Sequence, residues 1–117
     1  MENKEFAKTL EYRTRQFGIS IIKLSALLPN TIEGRVIRNQ ITKSGTSIGA
    51  NYREANRSRS KADFKNKIKI SESEASETEY WLEIINDLHW MEQNLLNKIT
   101  KEAKELLAIF TTISNKL

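Results

Sequence analysis

Residues 44–82 read SGTSIGANYREANRSRSKADFKNKIKISESEASETEYWL. In its second half, Phe64, Ile68, Ser71, Ala75, Thr78 and Leu82, continued by Ile85, follow at spacings 4-3-4-3-4-3. That is the heptad seam of a helix packed against other helices. The centre of the seam is small and partly polar. In the first half, Ser44, Gly45, Ser47, Gly49 and Ala50 give a preceding helix an equally small middle. Each Gly inside a helix costs about 1 kcal/mol relative to Ala. Close approach of a neighbouring helix would offset that cost, and the small residues of the two helices could face each other. The other reading of the glycines is a loop that splits the helix in two.

Working outward, the sequence predicts four helices. The first runs from about Lys4 to Leu28 on Phe6, Leu10, Phe17, Ile21, Leu24 and Leu28, with Arg13 interrupting the pattern. Pro29-Asn30 ends it, because proline disfavours helix in the residue before it. Thr31 is read as the N-cap of the second, with Glu33 near the positive end of the dipole and Ile37, Ile41, Ile48 and Tyr52 facing inward. A break at Ala55–Arg59 follows. Ser60 caps the third helix, with Asp63 in a capping-box-like position, and the helix fades near His89-Trp90. Asn94 is read as the cap of the fourth, on which Leu96, Ile99, Ala103, Leu106, Phe110, Ile113 and Leu117 alternate at spacings of 3 and 4. Short connections between four such helices give an all-α, antiparallel up-down-up-down four-helix bundle, one domain over residues 1–117.

A chain of 117 residues with one Pro and four Gly fits a single core-bearing domain. There is no cysteine, so disulfides and thiolate metal sites are excluded. The polar N-terminus lacks the apolar segment of a secretory signal, and no apolar run reaches the roughly 20 residues that span a bilayer. A cytoplasmic protein with no membrane partner is expected. The net charge of +4 conceals a polarised middle: residues 35–69 hold 10 basic and 2 acidic side chains, and residues 70–93 hold 7 acidic and none basic. Such a distribution attracts nucleic acid, or its own complement on another subunit.

Two outer faces follow from helical geometry. On the second helix Arg35, Arg53 and Arg57 share one angular sector along about five turns, and Arg59, Lys61 and Lys65 extend it. Guanidinium forks suit phosphate oxygens, so these six are the candidate nucleic-acid contacts; the alternative is a basic face that only solubilises. No base-reading motif is present, and aromatic residues are not interleaved with the basic ones as a single-strand stacking platform requires. On the third helix Tyr80, Trp81, Ile84 and Leu88, with Ile70 further back, form a second apolar stripe away from the seam. It reads either as packing under the fourth helix or a loop, or as a subunit interface, where aromatics are enriched. Tyr12, Ile19 and Ile22 lie similarly off the seam of the first helix. One flank of the third helix switches from Lys61, Lys65 and Lys69 to Glu72, Glu79 and Glu83, which points to head-to-tail self-association or to a merely solvated face.

The same residues carry no recognisable catalytic pattern. His89 is the sole histidine and lacks a Glu three residues before it, so the di-iron motif of helical bundles is absent. Glu72, Glu74, Glu77 and Glu79 spread around their helix without inward partners. Lys43-Ser44-Gly45 lacks the Gly-x4-Gly-Lys order of a phosphate-binding loop. The chain reads as non-enzymatic, with no cofactor and no metal. A protein partner for the Tyr80–Trp81 stripe is the alternative to nucleic acid.

Thr46-Ser47-Ile48-Gly49-Ala50-Asn51-Tyr52-Arg53-Glu54-Ala55, Ser60-Lys61-Ala62-Asp63-Phe64 and Glu77-Thr78-Glu79-Tyr80-Trp81-Leu82 resemble the signature of the 23S rRNA intervening-sequence proteins, also called four-helix bundle proteins. Leu106–Ile113 resembles their last helix, so the similarity covers nearly the whole chain. Tyr52 stands where a smaller aliphatic residue is common. That family is in turn similar to the accessory protein of diversity-generating retroelements, a pentameric barrel of such bundles that binds nucleic acid and a reverse transcriptase. The resemblance implies a bacterial up-down bundle, a homopentamer and association with RNA or DNA. It implies no catalytic residues.

Overall fold

The computed structural model describes residues 3–117, and among them four helices and no strand are found: α1 (Lys4–Ser25), α2 (Ile32–Ala55), α3 (Lys61–Asp87) and α4 (Gln93–Asn115). They stand antiparallel in cyclic order, each packed on the next, in a rod of 44 × 24 × 21 Å. At about 1.5 Å rise per residue, α3 alone runs nearly the full length. The seam between α1 and α4 is the most open of the four.

The third and fourth heptad seams lie inside. Ile68, Ala75, Leu82, Ile85, Ala103, Leu106 and Phe110 are all fully buried. Tyr52 is fully buried too, and its ring meets Phe110 edge-to-face with centroids 5.4 Å apart and planes at 70°. Such a pair adds about 0.5–1.5 kcal/mol beyond its buried area. The bulk of Tyr52 thus fills the space between α2 and α4. The ends of the predicted seams depart from expectation. Phe6 and Leu117 are 43% and 47% exposed, because Phe6 sits in the first turn of α1 and Leu117 lies beyond the end of α4.

α2 is continuous across Gly45 and Gly49, and the glycines face α1. A Cβ at Gly45 would lie 2.8 Å from two side-chain atoms of Ile21, and one at Gly49 would lie 3.0 Å from Thr14 Oγ1. The hydroxyl residues on the adjacent sector face α3. Ser71 donates to the carbonyl of Ile48 at 2.9 Å, and Thr78 Oγ1 lies 2.8 Å from Ser44 Oγ. These buried hydroxyls are hydrogen-bonded, as burial demands. Thr14 occupies the gap between Leu10 and Phe17 in the α1 seam, its hydroxyl donating to Leu10 O at 2.9 Å.

The helix ends need three corrections. α1 stops at Ser25 rather than Leu28, since Pro29 excludes helix at Leu28 and the chain must turn. The freed carbonyls of Ser25 and Leu28 accept from the guanidinium of Arg38 on α2, at 3.0 and 2.9 Å. α2 includes Ala55, so the break covers 56–60. α4 is capped by Glu92, whose carboxylate accepts from Leu95 N at 2.7 Å, and not by Asn94, which lies inside the first turn. Thr31 and Ser60 cap as expected, accepting from Gly34 N and Asp63 N.

The α3–α4 turn closes with Trp90 N donating to Ile85 O and His89 N to Asn86 O. That six-to-one and five-to-two pair requires a left-handed residue between them, and His89 supplies it at φ 56°. Glycine adopts this conformation without Cβ strain. His89→Gly is therefore expected to raise stability by about 1 kcal/mol, read as a higher urea midpoint; an unchanged or lower midpoint would show that the imidazole itself holds the turn. Gly34→Ala makes the opposite case. Its Cβ would come within 1.9 Å of the carbonyl oxygen of Pro29. Despite the higher helix propensity of Ala, the substitution should cost about 1–3 kcal/mol. Urea unfolding of the purified variant checks it, and a gain in stability would contradict the geometry.

Candidate functional site

The basic residues singled out in the sequence do not form one patch. Arg35 sits in the first turn of α2, its guanidinium 3.3 Å from Asn30 Oδ1. Arg53 lies 18 residues on, about 27 Å along the helix axis. The shared angular sector holds, but the distance removes Arg35 from the cluster. Arg53, Arg57, Arg59, Lys61 and Lys65 gather where α2 ends, the 56–60 connection turns and α3 begins, and all five are exposed. Among the described residues, Arg57, Arg59, Lys61 and Lys65 have no carboxylate partner, and Arg53 has only a 3.9 Å approach to Glu11. The positive end of the α3 dipole faces the same corner. Two lysines just beyond are already committed: Lys67 donates to Glu54 at 2.9 Å, which raises its pKa, and Lys69 Nζ lies 3.4 Å from Ser114 Oγ.

A groove of about 490 Å³ extends from this corner between α1 and α2. Gly18, Gly49 and Ala50 make it shallow, Ile19 and Ile22 give it an apolar wall, and Arg15, Arg53 and Arg57 stand along it. Arg15 was not among the residues read from the sequence. Nothing in the local pattern marks it, because only the packing of α1 on α2 brings it beside Arg53. Its guanidinium stands 5.6 Å from the ring of Tyr12, a cation–π contact that leaves the charge exposed.

The α3 stripe divides by burial. Tyr80 and Leu88 are 54% and 47% exposed, whereas Ile70, Trp81 and Ile84 are half-buried. Trp81 packs partly against the core, stacks edge-on to Tyr80 at 5.1 Å, and donates through Nε1 to Glu77 at 3.1 Å. Trp81 is therefore part packed and part accessible. Beside it, burial and the neighbouring Glu77 push the Glu74 carboxyl above its ordinary pKa, with Lys43 opposing.

The acidic residues of α3 do not converge. Glu72 accepts from Thr111 at 2.9 Å, Glu77 from Trp81, and Glu79 lies 3.9 Å from Lys104. Among the described residues no three His, Cys, Asp or Glu side chains are placed to hold a metal ion. No described helix is long and apolar enough to cross a membrane. Arg13, which interrupts the apolar pattern of α1, forms a two-pronged pair with Glu102 at 2.7 and 2.8 Å and reaches Glu105 at 2.7 Å. These carboxylates hold its pKa well above the usual arginine value, against the opposing effect of burial. It closes the open α1–α4 seam and is occupied structurally.

Among curated proteins, nothing matches this sequence. A solved structure from Bacteroides thetaiotaomicron VPI-5482, described as a protein with unknown function from the S23 ribosomal protein family, is 36% identical, with a TM-score of 0.82 over 89% of this chain and 96% of that one. The family model of the 23S rRNA-intervening sequence protein matches residues 8–112. With the four-helix architecture, that match over nearly the full length places the chain in the 23S rRNA-intervening sequence protein family.

Proposed function

We propose that this protein is a non-catalytic, self-associating helical bundle that binds the phosphate backbone of nucleic acid through the α2–α3 corner. The observation that carries the reading is the set of exposed cations at Arg57, Arg59, Lys61 and Lys65, which no carboxylate among the described residues neutralises. Arg53 adds a fifth at the edge. An unpaired exposed cation retains its counterions and can exchange them for phosphate. The family description, which refers to an insertion in 23S rRNA, makes RNA the first ligand to test. The corner lacks an aromatic platform and a base-reading element, so the contact is with backbone rather than sequence. The setting is cytoplasmic, and the ring of five implied by the retroelement resemblance is the assembly size to look for.

Binding of a fluorescent structured RNA, followed by anisotropy from low to moderate salt, tests this directly. Four to five phosphate contacts predict a slope of log K against log salt of about −3 to −4. Replacing Arg57 and Arg59 with Ala should weaken binding across unrelated sequences alike and reduce the slope by about 1.5 to 2. Salt-independent binding, or none at low salt, would overturn the proposal. A second reading, a scaffold for another protein, is favoured by the exposure of Tyr80 and Leu88. It requires that Tyr80→Ala with Trp81→Ala removes that partner while RNA binding persists.

A further inference from the structure

Two outer faces of the bundle have no partner within the chain, and they are complementary. The α1–α2 groove combines the exposed apolar walls of Ile19 and Ile22, 39% and 49% accessible, with the cations of Arg15 and Arg53. The outer face of α3 combines Tyr80 and the half-buried Trp81 with the carboxylates of Glu74 and Glu77. One face is concave, with Arg15, Arg53 and Arg57 outnumbering Glu11 and Glu54 along it and a floor of Gly18, Gly49 and Ala50; the other carries Glu74, Glu77 and the two aromatic side chains, with Lys43 close to Glu74. α1 and α3 stand diagonally across the bundle and do not pack on each other. The two faces therefore cannot meet within one chain.

We propose that the α1–α2 groove of one copy receives the α3 stripe of a second copy. This rests on the self-association reading above and names the surfaces that carry it. The small floor residues admit a helix close to the α1 and α2 backbones. Ile19 and Ile22 then cover the exposed edge of the Tyr80–Trp81 pair, and Arg15 and Arg53 face Glu74 and Glu77. Enclosure strengthens such opposite charges relative to open water. The contact is heterologous: each copy that offers its groove leaves its own stripe free for the next. Repetition gives a ring if the rotation closes and a filament if it does not. It also divides the basic residues between two roles, with Arg15 and Arg53 inside the contact and Arg59, Lys61 and Lys65 left outward for phosphate.

Light scattering coupled to size exclusion, with helical content checked by circular dichroism, tests this on four proteins: wild type, Arg15→Glu with Arg53→Glu, Glu74→Lys with Glu77→Lys, and all four substitutions together. The wild type should run as a multiple of the 13.5 kDa chain. Each half-swap should fall to a single chain, and the fourfold swap should regain the wild-type mass. Should a half-swap lose helical signal, Arg15→Gln with Arg53→Gln is measured in its place and should also dissociate. If the wild type assembles but the half-swaps stay assembled, or the fourfold swap stays monomeric with full helicity, these faces are the wrong ones and self-association stands. A wild type of one chain mass overturns self-association itself.

Discussion

The packing of this bundle depends on how closely α1 and α3 approach the backbone of α2. On one side, Ile21 and Thr14 press into the places where Gly45 and Gly49 have no side chain. On the other, Ser71 reaches the carbonyl of Ile48 and Thr78 meets Ser44. Small residues on a helix interior are normally a loss, through propensity for glycine and through competing local hydrogen bonds for serine. Here the loss is offset because two neighbours dock on one helix at short range, and every buried hydroxyl named finds an acceptor. α2 is thus the central member, and its register fixes those of α1 and α3. α4 then adds apolar bulk through Leu106 and Phe110.

That arrangement decides what is left on the outside. The α1–α4 seam is the most open of the four and is closed by the Arg13 fork to Glu102 and Glu105. The α1–α2 seam is so tight that its outer rim is shallow, and Ile19, Ile22 and Arg15 remain accessible above it. At the α2–α3 corner Glu54 is turned to Lys67, Glu11 only approaches Arg53, and Asp63 in the first turn of α3 makes no ion pair with Arg57, Arg59, Lys61 or Lys65 among the described residues. The binding and self-association proposed for this fold lie on such outer faces, and among the described residues no acidic or metal-binding groups converge.

The heptads of α3 and α4 were legible in the sequence because a 3-4 spacing maps onto one helical face whatever the neighbours do. The caps at Thr31 and Ser60 were legible for the same local reason, as was the basic run from Arg53 to Lys65. Residues whose role depends on a distant partner were not. Arg13 looked like an interruption because Glu102 is 89 positions away; Arg38 gave no sign of holding the end of α1; Arg15 joined the groove only through packing. Arg35 shares the angular sector of Arg53 but stands about 27 Å from it along α2. Asn94 was read as the cap on residue type, but the turn set by His89 places Glu92 at the helix start. Trp81 could not be assigned to one environment from pattern, and it spans two.

Native-state hydrogen exchange resolved by residue tests the central role of α2 most directly. The account predicts that amides from Ile41 to Tyr52 exchange last, only through global unfolding, while the facing turns of α1 and α3 follow closely and the ends beside the α1–α4 seam open first. If α4 or the ends of α1 retained protection after the middle of α2 had exchanged, the close approach at Gly45 and Gly49 would not be what the bundle depends on.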